Sequence, residues 1–231
     1  MLLLSSLLLL SCNGGYRITG SIATDMLNGK YVYVKGNRGD VQHILDSCII
    51  EDSRFAMQGS VDSSFIASLF VGETPVVPFV LEPGNICIDI TSDAVAITGT
   101  PLNNQLWELM SQKLAIEKQM DELERMEISL ILDGCTAEAA ASYVSASIDS
   151  VGTAMEQLMN GFIRENIDNV LAPCVFALMY SAVPVPLMNS NLEKLYNDAP
   201  EQFRNDAFVK RFYDVARENV RRMNNHTSFE Q

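Results

Sequence analysis

From Tyr16 to Thr98, short apolar runs alternate with polar positions and are parted by turn residues. Tyr16-Arg17-Ile18-Thr19-Gly20-Ser21-Ile22 puts Tyr16, Ile18 and Ile22 on one face, because successive side chains of a strand point to opposite sides. Further runs occupy Tyr31 to Val34, Ile44 to Ile50, Phe55 to Gln58, Phe65 to Val71, Pro78 to Leu81, Ile86 to Ile90 and Val95 to Thr98. About eight short strands at this spacing predict an antiparallel β-sandwich or barrel. Asn28-Gly29 signals a turn, and Glu82-Pro83-Gly84-Asn85 sets Pro and Gly where a type II turn needs them. On the strand after it, Ile86, Ile88 and Ile90 share one face. Cys87 falls with Asn85 and Asp89 on the wetter one.

Beyond Thr100 the period changes. Thr100-Pro101 offers a hydroxyl cap and then proline at the first helical position. Leu102, Leu109, Ile116, Leu123 and Leu130 recur every seventh residue, the stripe of a long helix. Asp133-Gly134 ends it, and Thr136 caps a second helix whose Val144, Ile148, Val151, Met155, Leu158 and Phe162 step by four and three. Two such stripes joined by a short Gly-containing turn predict a long antiparallel helical hairpin. Further helices fit Pro173 to Ser181, Asn191 to Tyr196 and Pro200 to Met223, with Val183-Pro184-Val185-Pro186 as an extended connector. The expected class is α+β: a β-sandwich or barrel over 16–100, an all-α region over 101–223 and a frayed tail over 224–231.

One apolar run lies outside this scheme. Leu2 to Leu10 is far shorter than the ~20 residues a helix needs to cross a bilayer. It matches the ~7–15 residue apolar core of a cleavable export signal, although no Lys or Arg precedes it as is usual. Ser11-Cys12 follows directly. An apolar stretch, a small residue and then cysteine form the pattern of a bacterial lipoprotein signal. Residues 1–11 are therefore expected to be removed, leaving Cys12 as the acylated first residue and 12–15 as a lipidated tether. Stable attachment takes more than one acyl chain. Asn13 rather than Asp after Cys12 resembles the outer-membrane class, and no acidic run follows to suggest export to the cell surface. The expected location is the cell envelope, lipid-anchored and facing the periplasm.

Charge then narrows the partners. The net charge of −13 lies wholly beyond Cys12, and so acidic a body is repelled by nucleic-acid phosphates and anionic lipid surfaces. No Lys/Arg-rich stretch offsets this, which excludes nucleic acid as a partner. The five cysteines Cys12, Cys48, Cys87, Cys135 and Cys174 include no C-x-x-C pair and no zinc-ligand spacing. Export permits disulfides, and Cys48 and Cys87 are the candidate pair. His43 and His226 are too few and too far apart to suggest a metal site. No cofactor is implied.

Candidate chemistry in the body has a plainer reading at each place. With Pro173 as the first helical residue, Cys174 sits in the opening turn, where the helix dipole can lower a thiol pKa. The alternative, favoured because Val175, Phe176, Ala177 and Leu178 follow and no His or second Cys is near, is a small buried apolar residue. Cys135 follows a turn and reads as incidental. Glu117, Asp121, Glu122, Glu124 and Glu127 suggest a paired-carboxylate site, but interleaved Lys118 and Arg125 make a solvated, ion-paired face the better reading. Met155 and Met159 suit copper by type, while their helical spacing fits core packing. Asn225-His226-Thr227 matches a glycosylation acceptor without consequence in a bacterial lipoprotein.

Several segments together resemble a known family. Tyr16-x-Ile18-x-Gly20-x-Ile22, Leu45-Asp46-Ser47 and Phe55-x-Met57-x-Gly59 are similar to the opening strands of the domain of unknown function 4369 family of Gram-negative envelope lipoproteins. Pro78-Phe79-Val80-Leu81-Glu82-Pro83-Gly84-Asn85-Ile86 and Gly99-Thr100-Pro101-Leu102-Asn103 carry the most specific part of the likeness. In that family the module precedes a helical linker, which Phe162 to Asn169, Ala199 to Phe203 and Val209-Lys210 resemble, and then a thioredoxin-like domain of the peroxiredoxin and thiol–disulfide oxidoreductase type. Here Arg221-Arg222-Met223 leads into a polar tail, so the family's catalytic cysteines have no counterpart positions. What the resemblance implies is the non-catalytic front half: a lipid-anchored binding or scaffold module, not an enzyme, engaging the membrane through Cys12 and another envelope protein through its body. The alternative is a thiol-dependent redox protein, or the non-catalytic half of a split or truncated oxidoreductase.

Overall fold

A computed structural model describes residues 14–38 and 41–227. Contacts divide the chain into two compact units, one ending at Asn104 and one beginning at Gln105. The first holds eight strands: β1 (Gly14–Ile22), β2 (Tyr31–Arg38), β3 (Val41–Ile49), β4 (Arg54–Val61), β5 (Phe65–Val71), β6 (Thr74–Leu81), β7 (Gly84–Ile90) and β8 (Val95–Thr98). They form two four-stranded sheets, ordered β4-β1-β7-β8 and β3-β2-β5-β6. The result is an open sandwich rather than a closed barrel. Every pairing is antiparallel except β1–β7, which runs parallel with Tyr16 beside Gly84 and Ile22 beside Ile90. Alternation along a strand specifies its buried face, not its neighbour, so nothing local announces this pair.

The inward faces are those the alternation picks out. Ile18, Val32, Val34, Leu69, Phe79, Ile86 and Ile88 are fully buried in one cluster, each contributing on the order of 1.5–3 kcal/mol by leaving water. Register explains two of the recurring motifs. Tyr16 lies opposite Gly59, Ile18 opposite Met57 and Gly20 opposite Phe55. A Cβ on Gly20 would meet the Phe55 ring at 2.0 Å, and one on Gly59 would meet the Tyr16 hydroxyl at 2.5 Å. Aromatic-x-apolar-x-glycine on each strand is therefore one antiparallel lock, with each ring filling the space over the other strand's glycine.

The remaining elements are α1 (Pro101–Leu132), α2 (Ala137–Glu165), α3 (Leu171–Tyr180), α4 (Ser190–Asp198), α5 (Glu201–Arg204) and α6 (Ala207–Thr227). α1 ends as its sequence suggests. Gly134 takes φ +98°, its N–H donates to Ile131 O, and the Cys135 N–H donates to Leu130 O, the two bonds of a Schellman motif. Cys135 thus has a backbone role, and its side chain is exposed. Thr136 caps α2 by accepting from the Ala139 N–H. The most buried side chains of α2 are Ala140, Val144, Met159 and Ile163; Met155 is half-buried and Met159 buried, as packing residues are.

α3 packs against α2 and α6. Its Phe176 sits among Phe203, Phe212 and Tyr213, with ring centroids 5.7, 5.2 and 5.6 Å away. The helix boundaries here differ from the sequence expectation. α3 opens at Leu171, two residues before Pro173, because the Asn169 carboxamide accepts from the Leu171 N–H. The expected helix from Pro200 to Met223 breaks after Arg204, where Asp206 accepts from the Phe208 and Val209 N–H groups and starts α6. α6 then continues to Thr227, into the segment expected to be frayed.

Candidate functional site

The likeness-bearing segments converge on two structural junctions. At the first, the Tyr16 hydroxyl donates to Asp46 Oδ2 at 2.9 Å, tying β1 of one sheet to β3 of the other. Burial, then the hydrogen bond and negative charge of Asp46, push the phenol up to about 12. At the second, Asn103 is fully buried and its carboxamide serves β6 as a neighbouring strand would. Its Oδ1 accepts from the Val80 N–H at 2.9 Å, and its Nδ2 donates to Val80 O at 2.8 Å and to Thr100 Oγ1 at 2.8 Å. Buried Glu82 accepts from the Leu102 and Asn103 N–H groups at 3.0 and 3.2 Å. A carboxylate there satisfies orphan donors at the positive end of α1. Gly99, with φ +101° and the Asn85 carbonyl oxygen 2.3 Å from where a Cβ would stand, admits no side chain. The most specific part of the likeness encodes the docking of a helix start on a sheet edge.

Among the described residues the thiols show no constellation. Cys48 on β3 and Cys87 on β7 lie in different sheets and are both unbridged, which corrects the candidate disulfide. Cys87 is half-buried on the outward face, 3.7 Å from the Thr19 hydroxyl. Burial chiefly raises the Cys48 thiol; Asp46 adds to this, and a backbone hydrogen bond at Ala56 opposes it. Cys174, in the second turn of α3 rather than the first, is pushed up to about 11 by burial and then by the charge of Asp206. Desolvation outweighs the helix dipole, so the thiolate is disfavoured. Cys12 lies outside the described residues, and so do the side chains of Glu124 and His226.

The acidic face of α1 is solvated, as expected. Among its described residues the ion pair that forms is Lys113–Glu117, not one with Lys118 or Arg125. No group of three His, Cys, Asp or Glu among the described residues could hold a metal ion. No described helix is long and apolar enough to cross a membrane.

What alternation could not reveal is the surface around β3. This edge strand leaves Val41, Ile44, Leu45 and Ile49 exposed at 57, 59, 45 and 42 %. Beside it Tyr31, 49 % exposed, stacks on Tyr33 with ring centroids 5.8 Å apart. The β2–β3 register shifts between Val34 and Lys35, where Asp46 and Ile44 are the partners, so Leu45 is the extra residue of a bulge. A bulge re-aims side chains at a sheet edge. From β3 the chain enters β4 through Asp52 and Ser53, both non-glycine and both left-handed, with φ of +49° and +59°. Ser53 is held there by Asn28, which accepts its N–H, and by Asp25, which accepts its hydroxyl. Between the two edge strands lies a shallow, open concavity of about 800 Å³, lined by Thr19, Tyr31, Cys48, Ile49, Arg54 and Phe55 among others.

An open sandwich with an apolar, bulged edge, followed by a helical unit, defines the class. Residues 16–106 match the family model described as Domain of unknown function (DUF4369), and no thioredoxin-like domain is detected. The comparisons with curated proteins and with solved structures returned no match.

Proposed function

We propose that the chain is a lipid-anchored binding or scaffold module of the cell envelope, held by acylated Cys12 and engaging another envelope protein through the surface around β3. One observation carries the reading: Val41, Ile44, Leu45 and Ile49 are exposed together on a single edge strand. Edge strands ordinarily carry charge, proline or cover that prevents association. β3 has a bulge, but its single acid, Asp46, is turned to Tyr16 and its own backbone. Large apolar side chains left exposed along an unpaired edge mark interaction sites. The strained Asp52-Ser53 turn beside it is the sort of backbone that persists at functional sites when neighbours hold it.

The test has two arms. Cys12→Ser should release the protein from the membrane fraction and abolish fatty-acid labelling. Ile44→Lys should remove the protein's main crosslinked species from native membranes while leaving it anchored. Turnover of insulin disulfides or peroxide that depends on one of its cysteines would replace this reading with a redox one.

A further inference from the structure

A second surface lies wholly within the helical unit. α2, α4 and the residues just after them line an open groove of about 400 Å³, formed by Arg164, Ile167, Lys194, Leu195, Asp198 and Ala199. It adjoins, at Arg164 and Leu195, a narrower extension of about 40 Å³ edged by Asn160, Asn189 and Asn191. The main volume falls in the range of small-ligand sites, where an apolar wall carries a few placed polar groups.

The charge distribution selects the ligand. In a chain of net charge −13, Arg164 and Lys194 line one groove and neither enters an ion pair among the described residues. Two cations outside any ion pair, lining one groove beside apolar residues, suit a carboxylate, which a guanidinium can hold through two parallel N–H bonds. Ile167, Leu195 and Ala199 suit an apolar side chain next to it. In the extension, Asn189 spends its Oδ1 on the Leu192 N–H at 2.9 Å, which leaves its two amide donors for a ligand. Asn160 and Asn191 add carboxamides that match the alternating donors and acceptors of a peptide backbone. Asp198 also lines the main volume and Glu156 the extension, so the two cations can hold one carboxylate against them while a second negative charge is disfavoured.

We infer that the α2–α4 groove binds the free C-terminus of an extended peptide, with its α-carboxylate on Arg164 and Lys194, its last apolar side chain on Leu195, and neutral or basic residues preceding it. Capture of a terminal carboxylate is an established mode of peptide recognition. The inference is independent of the β3 surface, so each can fail while the other stands.

The probe is rhodamine-labelled Gly-Leu-Leu, as free acid and as C-terminal amide, titrated against the full chain in detergent by fluorescence anisotropy. The acid should saturate with a Kd below about 1 mM, and the amide should bind at least tenfold more weakly. Arg164→Gln and, separately, Lys194→Gln should each weaken the acid at least tenfold and leave the amide unchanged. Both side chains are exposed, so circular dichroism of the variants should match the parent. No saturation of the acid, equal binding of acid and amide, or unchanged binding by both variants would overturn the proposal.

Discussion

Asn103→Ala isolates what the most specific segments of the chain accomplish. The side chain is fully buried, and it alone supplies partners at 2.9 and 2.8 Å to the N–H and C=O of Val80, itself fully buried. Truncation orphans both groups and also removes a bond to Thr100. Each unsatisfied buried group costs about 1–3 kcal/mol, so the variant should lose about 2–6 kcal/mol. With a urea dependence of about 2 kcal/mol per molar, the midpoint should fall by about 1–3 M. The chain's single tryptophan, Trp107, lies one turn further along α1, so its fluorescence reports this junction directly. Glu82→Gln keeps an acceptor for the Leu102 and Asn103 N–H groups and loses only the charge at the helix start, which is worth about 0.3–1 kcal/mol. A loss below about 0.5 kcal/mol for Asn103→Ala, typical of a surface residue, would refute the reasoning.

Much of this architecture was legible because the deciding interactions are local. Asp133-Gly134 and Thr136 each carry in one or two residues the stop or cap that the structure uses, whereas at the start of α1 the expected Thr100 hydroxyl cap is replaced: Thr100 Oγ1 accepts from the Asn103 side chain and Glu82 takes the Leu102 and Asn103 N–H groups. The aromatic-x-apolar-x-glycine motifs were visible as motifs, but their mutual register was not, because a glycine gives no sign of which ring covers it. The parallel β1–β7 pair and the role of Asn103 depend on residues about 68 and 23 apart in the chain. The outer half of β2 and the start of β3 were missed for another reason. Both lie beyond the core with little buried face, so the alternation that marks a half-buried strand is absent there. The same absence hid the candidate surface. Asp206 was readable as a cap residue, and would have placed the start of α6 had Pro200 not drawn attention first.

Two further expectations follow from the same contacts. Gly99→Ala should cost more than about 3 kcal/mol in urea denaturation, because a Cβ at φ +101° meets a backbone oxygen that cannot move aside; Gly134→Ala, at φ +98° with open space around it, should cost only about 1 kcal/mol. Equal costs at the two positions would contradict the geometry. In native protein at pH 8 a thiol reagent should modify exposed Cys135 first and Cys174 last. Because the folded Cys174 thiol holds its proton up to about pH 11 against an ordinary value of 9.0, its contribution to stability is complete below pH 9 and is lost as pH rises from 9 towards 11. Cys174→Ser should flatten that alkaline slope, and an unchanged slope would remove Cys174 as its source.

The central claim, that the surface around β3 meets a partner in the envelope, is tested most directly by site-specific photocrosslinking in native membranes. A photoreactive residue replaces Ile44 in one protein and, in a second, Ser145, which is exposed on α2. The account predicts a discrete adduct to another envelope protein from position 44 and none from position 145. No adduct from position 44, or the same adduct from both positions, would contradict it.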